Sequence, residues 1–328
     1  MNTITLGEMN DALDSVKQVI TKTDALWQIY HFKDGELKVQ SRNMKAGIPV
    51  MFDGEMIVPM ADYDKIMKTL RVDPEVIIGP KQVVFKSGKT RATLSQIPVA
   101  EVFKVDELEG IEIDLDEKFM ENLKILYPLI ESADNPDFKN SVICINGKMI
   151  ATHKGQIIII TEHEIFDDED VKCLLPADLI RFLINKKVPP EEMILNKNAV
   201  QFKWPDDSWI ISSLVAGSVP KKMFSLISSI EDCEWEMTDE HSQAIHDVIA
   251  MGASRITFDE SGAWAEIDQG KFNTGIMFPL NETKKSVWDT RHLKIALNIA
   301  DKFDFTQHPK PGTFSGEGVR GLIAPMLG

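Results

Sequence analysis

A domain-sized internal repeat constrains this chain more than any single motif does. In the stretch from Ile57 to Pro98, IVP leads to Ala61 and Asp62, a helical segment follows, and Asp73, Pro74 and Glu75 lead into VII. VVF, a turn at Ser87 and Gly88, an alternating run from Thr90 to Ile97, and Pro98 complete the unit. The same order returns from Leu174 to Pro220: LLP, Ala177 and Asp178, a helical segment, Pro189 to Glu191, MIL, AVQF, a turn over 205–208, WIISSL and Pro220. A weaker copy spans Val287 to Leu327. Pro59 and Pro176 hold equivalent places and lie 117 residues apart, about a third of the 328-residue chain. A period of that length is a domain rather than the unit of a solenoid. Three similar domains are therefore predicted, at 1–108, 109–221 and 222–328, each of α+β class with two helices packed on antiparallel sheets.

Composition narrows the function classes. Lys and Arg number 36 against 51 Asp and Glu, a net charge of −15, so any nucleic-acid contact must be local rather than spread over the surface. No apolar run approaches the roughly 18 to 20 residues that span a bilayer, so no membrane partner is expected. The amino terminus, MNTITLGEMNDALDSV, lacks a basic patch followed by an apolar core, and a cytoplasmic location is expected. Cys144, Cys173 and Cys233 show neither CxxC nor zinc-ligand spacing and are expected as buried, reduced thiols.

Each third reads as helix, strands, helix, strands. The first helix, Leu6 to Ile20, places Met9, Leu13, Val16 and Ile20 on one stripe. Strands follow at Ala25 to Phe32 and Leu37 to Arg42, joined at Asp34 and Gly35, a strong hairpin signal that Asp53 and Gly54 repeat before a strand from Glu55 to Val58. In the next helix Tyr63, Ile66, Met67 and Leu70 form the inner stripe. A connector is placed at 99–112. A helix from Leu115 to Ile130 follows, ended or kinked by Pro128, then a hairpin turning at Asn146 and Gly147, and the apolar strand Ile157 to Ile160. The helix after Pro176 buries Ile180, Leu183 and Ile184 and shows Arg181, Lys186 and Lys187. In the last third, helices are expected from Thr238 to Gly252 and from Asp289 to Phe303.

The two helices of each third differ in charge. The second helices, 60–72, 176–187 and 289–303, carry +1, +2 and +1, whereas 6–22, 115–131 and 238–252 carry −1, −2 and −3. Some acids of the latter lie in opening turns, where the helix dipole alone favours them. The second helices are nevertheless basic against an acidic chain.

Three stretches resemble the bacterial-type DNA sliding clamp, the β subunit of DNA polymerase III, or a viral version of it. They are VVFKSGKTRATLSQIPVAEVF, SWIISSLVAGSVP and LIAPML, which are similar to the ends of that family's first, second and third domains. The resemblance implies a DNA clamp fold: a homodimeric ring of six domains whose helices line a hole around duplex DNA. Such a ring is a processivity factor that tethers DNA polymerase, has a clamp loader as a partner, and needs no cofactor. Contact with duplex DNA is then sequence-independent, because Lys and Arg meet phosphates rather than bases. The residues expected to face DNA are Lys17, Lys65, Lys68, Arg71, Arg181, Lys186, Arg291 and Lys294.

The resemblance also implies a pocket for short linear peptides. Local matching places Ile145, Thr161, His163, Ile165, Pro220, Phe224, Leu322, Ile323, Pro325 and Met326 around it. The family commonly has a basic residue where Glu164 stands and a methionine where Ala324 stands, which implies a different partner motif. The subunit interface is expected at Thr93 and Leu94 on one side and at Ala250 and Met251 on the other.

Other readings are weaker. Gly88 to Thr90 reads GKT, but a phosphate loop needs glycine where Val83 stands and a helix where a strand pattern follows. Alternation in a strand sends His163 to the opposite face from Glu162 and Glu164, so no metal site is expected. No nucleophile, base and orienting acid can be assembled, so an enzyme is not expected. The alternative is a monomeric polymerase accessory protein of the same fold without a ring.

Overall fold

The structure is a computed structural model that describes residues 2–3, 5–17, 19, 28–97, 108–186, 188–228, 230, 233–280 and 285–326. The first third contains β1 (Asn2–Thr3), α1 (Leu6–Lys17), β2 (Ile29–Lys33), β3 (Glu36–Gln40), β4 (Met44–Pro49), β5 (Glu55–Pro59), α2 (Met60–Thr69), β6 (Glu75–Ile78), β7 (Gln82–Ser87) and β8 (Thr90–Ser95). The second contains β9 (Ile111–Asp114), α3 (Glu117–Leu126), β10 (Ser141–Ile145), β11 (Lys148–His153), β12 (Ile157–Glu162), β13 (Cys173–Pro176), α4 (Ala177–Asn185), β14 (Glu192–Leu195), β15 (Ala199–Lys203) and β16 (Trp209–Ser213). After α5 (Lys221–Ile227), the last third contains α6 (Asp239–Ala250), β17 (Arg255–Asp259), β18 (Gly262–Ile267) and β19 (Gly270–Asn273). It finishes with β20 (Lys285–Asp289), α7 (Thr290–Leu297), β21 (Lys302–Asp304), β22 (Gly312–Gly316) and β23 (Val319–Ile323).

The recurring module is strand, helix and a three-stranded meander, and each third holds two of them. The opening strand of each module pairs into the meander of its sister: β1 with β6, β5 with β2, β9 with β14, β13 with β10, and β20 with β17. In the last third one opening strand is reduced to an isolated bridge, Glu236 to Lys302 on β21. The exchange explains the long-range order: neither module of a third completes its sheet alone.

Two further pairings join thirds. β4 pairs antiparallel with β16 through Trp209–Gly47, Ile210–Ala46, Ile211–Lys45 and Ser212–Met44, giving an eight-stranded sheet. β12 pairs with β23 from Ile157–Ile323 to Thr161–Val319, giving a seven-stranded sheet. By contacts the chain forms two compact units, Met1–Met120 with Asp178–Leu214, and Glu121–Ala177 with Val215–Gly328. The eight-stranded sheet belongs to the first and the seven-stranded sheet to the second.

Aromatic rings fill the cores. In the first unit Tyr63 of α2 meets Tyr30, Phe32 and Phe85 at ring separations of 5.5, 5.4 and 5.7 Å, and all four are fully buried. In the second, Phe258 and Phe278 stack at 4.1 Å, with Phe305 against both. Fully burying one such side chain contributes roughly 1.5–3 kcal/mol.

Several sequence expectations need correction. β4 was not anticipated, and β5 pairs with β2, so Asp53 and Gly54 are not a hairpin turn. The strand expected from Ala25 begins at Ile29, and residues 25–27 lie outside the described set. Of the expected connector, Ile111 and Glu112 belong to β9, and 99–107 lie outside the described residues. α5 is an additional helix. The last helix ends at Leu297 rather than Phe303, because Phe303 is drawn into β21 opposite Phe314. Gly252 lies beyond α6 with φ 77° and stops that helix instead of lining it. Lys187, Pro98 and Leu327 lie outside the described residues.

Several local expectations agree with the structure, while α3 is shorter than expected at Glu117–Leu126 and Ile184 is only half-buried. Asp34–Gly35 and Asn146–Gly147 take positive φ at both positions, as a two-residue hairpin turn requires. Asp116 receives the Phe119 amide at 3.0 Å to start α3, and a 3-10 turn holding Pro128 ends it. Ile157 to Ile160 are all buried, which accounts for the run of four isoleucines.

Candidate nucleic-acid interface and docking groove

The cationic side chains on the second helices differ in how free they are. On α2, Met60, Tyr63 and Met67 face inward, which leaves Lys65 and Lys68 on the outer face and Arg71 just beyond it. Lys65 is held loosely by Asp62 at 3.4 Å and stays exposed. On α7, Leu293 and Ala296 face inward and Lys294 is exposed. Arg291 folds onto Asp289, the N-cap of α7, at 3.0 Å while keeping its guanidinium in solvent. Burial alone would raise the Asp289 carboxyl, yet the hydrogen bonds from Arg291 hold it below the ordinary carboxylate range. Arg181 is half-exposed on α4 and paired with Asp178.

The remaining two cations are engaged within the fold. Lys17 at the end of α1 lies 3.0 Å from Asp14 and 3.7 Å from Asp64, and so joins α1 to α2. The Lys186 ammonium sits 3.7 Å above the Trp204 ring, bonds Ser208 and leaves only 15% of its side chain exposed. Burial pulls its pKa down to about 8. A lysine spent on an indole face contributes packing and cation–π attraction rather than a mobile phosphate contact.

The residues expected around a peptide pocket separate into three layers, all within the second unit. Thr161 on β12 and Ile323 on β23 are built into the sheet, and His163 caps the 3-10 turn after β12; all three are buried. Leu322 belongs to an apolar cluster with Met223, Ile227 and Ile230, and Ile145 packs at its margin. Ile165, Phe224, Pro325 and Met326 are half-buried, and Pro220 is exposed as the N-cap of α5. The tail is pinned by Ala324 N to Gln156 O at 2.7 Å and Met326 N to Val287 O at 2.8 Å.

A groove of this unit, about 660 Å³, shares only Leu322 with that set. Its apolar floor includes Leu226, Ile230, Trp235 and Phe303, and Glu234 and Lys310 stand at it as charged groups. Its volume is that of a ligand-sized cleft. Sequence reading missed this floor because α5 was not expected. The apolar spacing Met223, Ile227 and Ile230 was the available signal.

Among the described residues, two strands that end a meander lie at a sheet edge. β8 ends the sheet β1-β6-β7-β8, and β19 ends the sheet β19-β18-β17-β20. Thr93 is exposed on β8, whereas Leu94 turns into the core. Ala250 and Met251 are exposed at the carboxyl end of α6, not on a strand. The edge itself is Gly270–Asn273, which the sequence reading did not name. Among the described residues, no group of three or more His, Cys, Asp or Glu could hold a metal ion, and no helix is long and apolar enough to cross a membrane.

Comparison with known proteins places this architecture. No protein-family model matches the sequence, and no curated protein matches it. Among solved structures, the Helicobacter pylori β clamp bound to a DNA ligase peptide superposes with a TM-score of 0.81 at 12% identity, covering 99% of both chains. The Pseudomonas aeruginosa DNA polymerase III subunit β gives 0.77 at 15% identity over 100% of both chains. The Bacillus subtilis DNA polymerase sliding clamp gives 0.79 at 14% identity, over 100% of this chain and 99% of that one. The chain therefore has the fold of the bacterial sliding clamps along its whole length.

Proposed function

We propose that this protein is a sliding clamp, a processivity factor that encircles duplex DNA as a ring of two copies and tethers a DNA polymerase. The observation that carries the reading is the pattern of sheet edges. In both internal seams, the last strand of a first module pairs with the last strand of a second module: β4 with β16, and β12 with β23. By that rule the strands left over are β8, from a second module, and β19, from a first module. Pairing β8 of one copy with β19 of another repeats the seam twice and closes a ring. An unpaired edge is a hazard in a free monomer, which gives the pairing a physical motive.

The three domains of such a ring are 1–108, 109–221 and 222–328. Its phosphate-facing set is led by Lys65, Lys68, Arg71, Arg181, Arg291 and Lys294, with Lys17 and Lys186 tied down by neighbours. Contacts of this kind carry no sequence preference, and they weaken as salt rises. The acidic remainder of the chain disfavours DNA on other faces. The Leu322 cluster and the adjoining groove are the place for a linear peptide from a polymerase or clamp loader. No step of this role calls for bond chemistry, so the protein acts as a tether and not as an enzyme.

Retention on DNA tests the proposal. With a clamp loader, the protein should stay on nicked circular duplex at moderate salt and leave when the circle is cut. Equal retention on circular and linear DNA would contradict encirclement.

A further inference from the structure

A chain of ring nitrogens connects α7 to β11 in a way that the clamp reading does not use. His153, the last residue of β11, places Nδ1 3.0 Å from Nε2 of His292 on α7, with the rings edge to face at 5.2 Å. The other nitrogen of His153 lies 3.3 Å from Oε1 of Glu131. His292 is 1% exposed. The carboxylate decides the tautomers: His153 donates its Nε2–H to Glu131, so its Nδ1 carries the lone pair and accepts the Nε2–H of His292. We propose that this Glu131–His153–His292 relay is a proton-gated tie that positions α7, whose outer face carries Arg291 and Lys294, against the β10–β12 meander.

Protonating His153 puts an N–H on Nδ1 that faces the N–H of His292, and the bond breaks unless His292 moves its own proton to Nδ1. Protonating His292 instead places a cation in a buried position, and burial is what keeps that imidazole below its ordinary value of 6.5. The charged groups acting on it are Asp289, which favours the cation, and His153, Arg291 and Lys154, which oppose it. α6, also packed on α7, turns Ala244, Ile245 and Val248 inward and keeps Asp239 and Glu240 exposed. The sign follows. A histidine whose folded pKa is depressed binds its proton more readily in the unfolded chain, so its stabilising effect is complete above 6.5 and is lost as pH falls below that value.

The link to DNA rests on the proposed clamp function, and the tie itself does not. The full chain, with His292→Gln and His153→Gln variants, would be unfolded by urea between about pH 7.5 and about pH 5.5. Between those limits the unaltered chain should lose up to roughly tenfold in its folding equilibrium, and both variants should show a shallower loss. Nitrogen NMR of the histidine-labelled unaltered chain gives a second reading that needs no variant, with His153 protonated on Nε2 and its Nδ1 accepting from His292. Equal pH slopes in all chains, or two imidazoles that titrate independently with no shared hydrogen bond, would overturn the tie. If the slopes flatten while DNA retention is unchanged, the tie stands and the DNA-facing reading of α7 fails.

Discussion

Tyr63 shows how a single side chain can hold a core and still be improved. Its ring joins Tyr30, Phe32 and Phe85, but its buried hydroxyl finds no hydrogen-bond partner among the described residues. An unsatisfied buried hydroxyl costs roughly 1–3 kcal/mol, so Tyr63→Phe should raise the thermal midpoint; a lowered midpoint would show that the hydroxyl is satisfied after all. The cations make a second residue-scale test. Lys68→Gln and Lys294→Gln should each reduce the salt dependence of DNA retention by about one phosphate contact, whereas Lys186→Met should leave it unchanged because that ammonium already sits on Trp204. In sequence, Lys186 looked like its neighbours on a basic helix. The difference lies in Trp204, 18 positions away and on another element, and helical periodicity cannot reveal such a partner.

At the scale of elements, the seams rest on glycines. Gly321 on β23 lies opposite Ile159 on β12, and a Cβ there would collide with the Phe314 ring and the Ile158 carbonyl. Gly47 on β4 lies opposite Trp209, whose indole bonds Glu36 across the space a side chain would fill. Gly321→Ala should cost about 1–3 kcal/mol by overpacking. Gly7→Ala on α1, where a Cβ meets nothing within 4 Å, should stabilise by about 0.5–1 kcal/mol. Urea midpoints that moved the same way for both would contradict this account. These glycines also explain which strands were hard to read. MKAGIP of β4 and GKFN of β19 lack the dense β-branched pattern of Ile157 to Ile160, so one internal seam strand and one open edge escaped notice. Helices with regular apolar stripes, such as α2 and α7, were legible because the period is local.

At the scale of the molecule, the repeat from Ile57 to Pro98 pointed to three related parts, and the strand order shows a smaller module of strand, helix and meander. What it could not reveal is the exchange of opening strands between sister modules, since that pairing joins residues far apart in sequence, such as Asn2 and Val76 or Ile111 and Leu195. The edges left by that exchange, β8 and β19, carry the central claim, because two internal seams of one kind leave strands of matching kind for a third. The mass of the protein in solution tests this most directly. A stable species near twice the 36.9 kDa chain is predicted, reduced to single chains by proline at Thr93 on β8. A strict monomer at working concentrations, with the unaltered chain and the Thr93→Pro variant alike, would contradict the ring.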